Sequence, residues 1–285
     1  MKSALPVVSV IAVIIALWYG GAVWLNSPWV YDQAARAGQQ VSLPDLLVAT
    51  MQQDRPVLPA PHQVIKGLYD GVTAQAITSR RSLVYHAWVT LSGTMFGFVI
   101  GTLMGIALAV GIVHNKAMDL SVMPWAIASQ MIPIIAIAPM LAVVMNSLGA
   151  QPIVTKAIIS AYLSFFPVVV GMVKGLRSPD QMQLDLLRTY NAGQGTTFWA
   201  LRLPASVPYL FTSLKVGIAA ALVGAIVGEL NQAAGIGARL LSGSYYGQTV
   251  QIWAALFMAA TMAAVLVMAI GRLEGVTLRR MGMAR

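Results

Sequence analysis

Ser178-Pro-Asp-Gln-Met-Gln-Leu-Asp-Leu-Leu-Arg-Thr-Tyr-Asn-Ala-Gly-Gln-Gly-Thr-Thr-Phe-Trp-Ala-Leu-Arg-Leu-Pro204 is a polar insertion between two long apolar segments. Ser178 offers a cap to free helical amides, Pro179 suits a first helical position, and Gln181 stands three residues after Ser178. That order predicts a capping box opening a short helix. Met182, Leu186 and Tyr190 recur on one helical face, while Gln183, Asp185 and Arg188 occupy the rest of the circumference. Asn191, Gly193 and Gly195 tolerate left-handed backbone, so the chain is expected to turn there into a second short helix. An amphipathic helix resting on lipid headgroups is the plainer alternative.

The surroundings of this insertion are those of a membrane protein. Of 285 residues, 58% are hydrophobic and 9% charged, where a soluble domain carries about a quarter charged residues. With no cysteine, neither a disulfide framework nor a thiolate metal site is available. His62, His86 and His114 lie too far apart for ligand spacing, so no metal site is expected. The net charge of +9 is spread over loops and helix ends. This suits membrane orientation rather than a phosphate-binding face, and nucleic acid is not an expected partner. No G-x-x-x-x-G-K-[ST] run occurs, and no catalytic constellation of His, Asp or Glu is visible. The chain therefore reads as neither an enzyme nor an ATP-binding subunit.

The fold class expected is an all-α integral membrane protein with six transmembrane helices and both termini cytoplasmic. At about 1.5 Å per residue, the run from Leu5 to Leu25 crosses a hydrocarbon core of about 30 Å. It exceeds a signal-peptide core and lacks a small-x-small site, so residues 1–26 read as a retained signal anchor, Trp18 and Trp24 toward the outside. Residues 27–85 read as an extracytoplasmic segment with short surface helices, marked by Leu46, Leu47 and Met51 and by Val64, Ile65, Leu68 and Val72.

Residues 86–285 read as a five-span core carrying the loop 178–204. The second span has Gly93, Gly97, Gly101 and Gly105 in register, a packing seam either within the subunit or across a homodimer. The fifth carries Gly217, Gly224 and Gly228. In the third, Pro133 and Pro139 are expected to distort the helix. Lys2, Lys116, Lys174, Arg177, Arg188, Arg202, Lys215, Arg272, Arg279 and Arg280 mark one side as cytoplasmic. Lys156, Arg239, Arg80 and Arg81 fall on the other.

The 178–204 insertion resembles the coupling loop of the permeases of bacterial binding-protein-dependent type I ABC importers, whose pattern is E-A-A, three residues, G, nine residues, I-x-L-P. Here it falls on Asp185-Leu186-Leu187, then Asn191, then Leu201-Arg202-Leu203-Pro204. The spacing is kept, with Asp for Glu, two Leu for the alanines, Asn for Gly and Leu for Ile. Leu58-Pro-Ala-Pro-His-Gln-Val64 resembles the entry to the second span in the nitrate, sulfonate and taurine branch, and Gln130-Met-Ile-Pro-Ile-Ile-Ala-Ile-Ala-Pro139 and Ser164-Phe-Phe-Pro167 resemble further stations of the family.

The resemblance implies that Asp185, Leu186, Leu187, Arg188, Tyr190, Asn191, Leu201, Leu203 and Pro204 couple the chain to a cytoplasmic ABC ATPase dimer. ATP and Mg would be bound there, with no cofactor on this chain. It further implies a periplasmic or lipid-anchored substrate-binding protein, a second permease copy or a homologue, and the bacterial inner membrane. Nitrate, sulfonates, taurine and pyrimidine-like heterocycles are the substrates implied. Polar groups expected to face a solute path are Gln130, Tyr162, Ser164, Ser213 and Glu229, because polar side chains are costly against lipid. The alternative reading is an ion-coupled secondary transporter, for which only Glu229 and Lys215 approach the expected intramembrane charges.

Overall fold

In hydrocarbon every backbone amide and carbonyl must be satisfied within its own segment, so long apolar runs become helices. The computed structural model describes residues 4–283; Lys2, counted above for orientation, lies outside them. Helices α1 (Ala4–Ala37), α2 (Leu43–Met51), α3 (Pro61–Thr73), α4 (Leu83–His114), α5 (Lys116–Ser129), α6 (Ile134–Ser147) and α7 (Pro152–Leu176) lead to α8 (Gln181–Thr189) and α9 (Gln194–Thr197). A π-helical turn, Phe198–Arg202, joins α9 to α10 (Leu203–Gly228), and α11 (Ile236–Tyr245) and α12 (Thr249–Arg280) follow.

Among the described residues no strand occurs. Five helical stretches are long and apolar enough to cross a membrane: Leu5–Ala37, Leu83–His114, Pro152–Leu176, Gln194–Gly228 and Thr249–Arg280. The third expected span is the bent pair α5 and α6, which meet at 94° and raise the number to six if they are one span. Pro133 explains the break: it has no amide hydrogen to donate and drives Ile132 out of helical geometry, and it stands at the N-cap of α6.

Two compact units emerge. The first comprises the chain through His86 together with Arg239–Ala259. Its α1 continues to Ala37, well past the boundary expected at residue 26. Asn26, the last residue of the expected anchor, is fully buried. Its Nδ2 donates to Leu58 O at 2.9 Å and Thr50 O at 3.4 Å, and its Oδ1 accepts from the amides of Val57 at 2.8 Å and Leu58 at 3.2 Å. A residue that makes four bonds to the 50–58 segment has no need of water, and the helix runs on. Trp18 stacks on Phe257 at 5.9 Å and donates from Nε1 to Pro59 O at 3.0 Å.

The second unit comprises Ala87–Ala238 and the chain from Ala260 onward. Its centre is α7, whose most apolar stretch is 56% buried, against 17% for α12. Lipid supplies little hydrophobic drive between helices, so close approach of small residues has to hold α7 in place. Gly93, Gly97, Gly101 and Gly105 of α4 lie against Lys156, Ala157, Ala161 and Phe165 of α7. Gly224 and Gly228 of α10 lie on its other flank, against Ser160 and Lys156. Gly171 and Gly175 of α7 in turn admit Ser213 and Ser206 of α10. The seam is therefore within the subunit; these glycines are not a surface for a second copy. Below it, Ala109, Ile112, Ala126, Phe165, Val168, Met172 and Leu176 form an apolar core. Lys215 and Glu274 pair between α10 and α12, and Arg177 and Asp119 pair at 2.8 Å.

Candidate functional site

The polar insertion folds as helix, turn, helix, with its cap two residues later than the sequence suggests. Ser178 donates back to Gly175 O at 2.7 Å and so finishes α7. Asp180 takes the N-cap position of α8, and Gln183 Oε1 accepts from the Asp180 amide at 3.3 Å. The turn is made by Asn191 at φ 52°, the one non-glycine residue with positive φ among the described residues. Gly193 sits at φ −67° and opens α9, and neither it nor Gly195 is left-handed. A Val at position 191 could not hold that geometry without strain of about 1–3 kcal/mol. Asn191→Val is accordingly expected to leave the spans folded while exposing the 190–193 turn to proteolysis, read by limited trypsin cleavage at Arg188.

Met182 and Tyr190, each 77% exposed, and Leu186, 57% exposed, form an apolar face of α8 turned to solvent. Leu184 and Leu187 are half-buried and face the body of the unit. Asp185 and Arg188 pair across one turn at 3.0 Å on the surface. Behind α8 lies a cleft of about 340 Å³ lined by Leu184, Arg188, His114, Gln194 and Arg202. Arg202 Nη1 donates to Leu176 O at 3.4 Å, placing a cation on the last carbonyls of α7, where the helix dipole favours it. Leu201, Leu203 and Pro204 are half-buried where the π-turn passes into α10. Three large apolar side chains held in solvent by a rigid turn suit burial against another protein.

Of the five polar residues expected along a solute path, the structure brings Gln130 and Tyr162 to one place, the break between α5 and α6. Gln130 is half-buried at the break between α5 and α6, with Nε2 at 3.4 Å from Ser129 Oγ. The Tyr162 hydroxyl donates to Ser129 O, tying α7 to that same break. Ser164 is fully buried, its Oγ 3.3 Å from Ala161 O and packed against Gly101, which makes it a packing residue. Ser213 donates to Leu210 O at 2.8 Å and touches a groove of about 560 Å³ lined by Phe166, Val170, Lys174 and Tyr209.

Glu229 is enclosed by side chains and backbone of its own unit. It is fully buried at the end of α10, with Oε1 3.2 Å from Lys156 Nζ. Its Oε2 accepts from Thr90 Oγ1 at 2.7 Å and from the Gly237 amide at 3.2 Å. Lys156 also donates to Val89 O at 3.1 Å, and Thr90 Oγ1 accepts from the Ile236 amide at 2.9 Å. A Cβ on Gly237 would fall 2.9 Å from Glu229 Cβ, so the Gly235-Ile236-Gly237 turn closes directly over the carboxylate. Sequence reasoning missed Lys156 and Thr90 as its partners. The signal was a lysine four residues inside an apolar helix, which in lipid requires a counter-charge.

With this geometry in place, the chain is recognisable by class. Residues 97–282 match the family of binding-protein-dependent transport system inner membrane components, and the chain belongs to that family. A probable ABC transporter permease protein of Haemophilus influenzae is 32% identical over 158 residues, covering 55% of this chain and 63% of the relative. A formylaminopyrimidine transport permease protein of Halalkalibacterium halodurans is 29% identical over 173 residues, covering 61% and 65%. The chain thus matches just under two thirds of the length of either relative. The inward-facing methionine ABC transporter MetNI shares the fold with a TM-score of 0.52 at 18% identity, over 75% of this chain and 95% of that one.

Proposed function

We propose that this chain is the permease subunit of a binding-protein-dependent ABC importer in the bacterial inner membrane, lining the solute path and transmitting the work of a separate ATPase. The observation that carries it is the α8 face of Met182, Leu186 and Tyr190, exposed on a helix braced by Asn191 and Arg202. A moving ATPase needs such a rigid, docked element to transmit its motion. Asp185 and Arg188 would rim the contact, and Leu187, with Leu201, Leu203 and Pro204, would hold the helix from behind. ATP and Mg would be bound by the ATPase dimer.

The distribution of Lys and Arg supports a reading in which α8 and both termini are cytoplasmic and the first unit's α2 and α3 lie outside, where a binding protein would deliver solute. A second copy or a homologue completes the path, since Ser164 is consumed by packing and a single six-span subunit offers little interior. Formylaminopyrimidine, which one relative is named for, and the sulfonates and taurine implied by the sequence resemblance support small, polar or anionic solutes as the substrate class.

The test is Leu186→Glu combined with Tyr190→Glu. The pair of buried-to-be apolar anchors is expected to contribute about 2 kcal/mol or more each to docking. ATPase copurification and ATP-driven uptake should both fall more than tenfold, with the permease still in the membrane. Undiminished copurification would refute docking through α8. Uptake driven by an ion gradient with the ATPase absent would instead favour the secondary-transporter reading.

A further inference from the structure

The first unit contains a polar pocket that the transport reading does not use. It has a volume of about 680 Å³ and lies between α3, the segments 54–55 and 74–83, and the start of α12. Arg55, Arg81 and Arg239 line it together with Asp54, Asp70 and Gln251. Its shape is built in: a Cβ on Gly67 would fall 2.8 Å from Val250 Cγ1, and one on Gly71 would fall 3.2 Å from Leu83 Cβ. These two glycines let α3 close against the other walls.

Arg239 is the most informative residue in it. One Nη2 hydrogen bond, to Arg81 O at 2.9 Å, orients the guanidinium. Its Nε is buried and without a hydrogen-bond partner. Desolvation lowers its pKa from the ordinary arginine value. Among the described residues, none of the five charged side chains in this pocket makes an ion pair within 4.0 Å. A buried, unsatisfied guanidinium nitrogen calls for an acceptor, and a planar fork of this kind donates two parallel bonds to a carboxylate or sulfonate. Three guanidinium groups beside two carboxylates leave charge of both signs to be met. A bare dianion would satisfy the first set and be repelled by the second.

We propose that this pocket binds a small zwitterionic group, its carboxylate, sulfonate or phosphate oxygens on Arg239 and Arg81 and its ammonium on Asp70 or Asp54. Such a group is presented by a free solute, an amino acid or aminosulfonate, and by a phosphatidylethanolamine headgroup. The site is separate from α8 and from the Lys156–Glu229 cluster, and it stands whether or not the chain is driven by an ATPase.

The experiment uses the full chain in nanodiscs of phosphatidylcholine alone. Taurine, glycine and inorganic sulfate are titrated separately by calorimetry, and a parallel preparation contains phosphatidylethanolamine. The free-solute source predicts saturable binding of taurine or glycine and little of sulfate; the lipid source predicts a raised melting temperature in the phosphatidylethanolamine discs. In either arm Arg239→Gln should remove at least tenfold of the affinity or the whole thermal shift. Asp70→Asn, an exposed and structurally mild change, should weaken zwitterion binding several-fold and improve sulfate binding. No response in either arm would overturn the proposal. So would a response that Arg239→Gln leaves intact, or sulfate binding equal to taurine binding and indifferent to Asp70→Asn.

Discussion

Lys156→Met, with Glu229 left in place, is expected to be among the most destabilising single changes outside the glycine seam. It strands a fully buried carboxylate whose remaining donors include Thr90 and the Gly237 amide but no counter-charge. Removing one partner of a buried pair costs about 3–5 kcal/mol, because the remaining charge keeps its desolvation penalty and loses its counter-charge. Glu229→Leu alone strands the ammonium, whose other acceptor is Val89 O, and should do comparable harm. The two together should recover most of the loss, since a well-packed apolar pair in place of a buried ion pair is often neutral or stabilising. Thermal unfolding of the detergent-solubilised chain, followed by tryptophan fluorescence, gives the four stabilities. Additive losses in the double variant would show that the two charges do not act as a pair. If the double variant is stable yet transports poorly, the pair serves a moving step rather than the resting fold.

Gly101→Leu is expected to be worse tolerated than any surface change of similar size. A Cβ at that position would already fall 2.8 Å from Ala161 O, so even its first carbon meets backbone, which cannot rotate away. Overpacking ordinarily costs about 1–3 kcal/mol when side chains can adjust; here α4 and α7 must separate, and the loss should lie at or above the top of that range. Gly20→Leu is the matched control. That glycine is exposed on a long apolar helix, with nothing within 4 Å of an added Cβ. The expected result is loss of the monodisperse peak of Gly101→Leu on size exclusion in detergent and near-normal behaviour of Gly20→Leu. Equal behaviour of the two would mean that α4 does not pack on α7 through this face.

Much of the 178–204 insertion was legible because its signals are local. The spacing of Met182, Leu186 and Tyr190 is a property of one helix, and the left-handed turn at Asn191 follows from a short amide side chain that tolerates positive φ. The cap was misplaced for an equally local reason: Ser178, Asp180, Gln181 and Gln183 offer two overlapping capping registers, and which one forms depends on where α7 ends. Ser178 is used up by the Gly175 carbonyl, leaving the start of α8 to Asp180. Polar residues in the spans were far less legible. Ser164, Ser213 and Glu229 look alike as polar groups in apolar helices, and only their neighbours separate a serine under a glycine from a carboxylate facing a lysine.

By itself the sequence determined that this chain is helical and membrane-embedded, because about 20 consecutive apolar residues cannot satisfy their backbone in lipid any other way. It also determined where the polar insertion stands and that Pro133 interrupts a span. Tertiary structure alone decided what the charged and small residues are for. Lys156 and Glu229 lie 73 residues apart in the chain yet 3.2 Å apart in space. The glycines of α4 face α7 of the same chain rather than a second copy, and Asn26 ties α1 to the distant 57–58 segment. Periodicity along one helix tells which residues share a face. The partner that the face meets is set by the packing of all the helices at once, and no single segment carries that information.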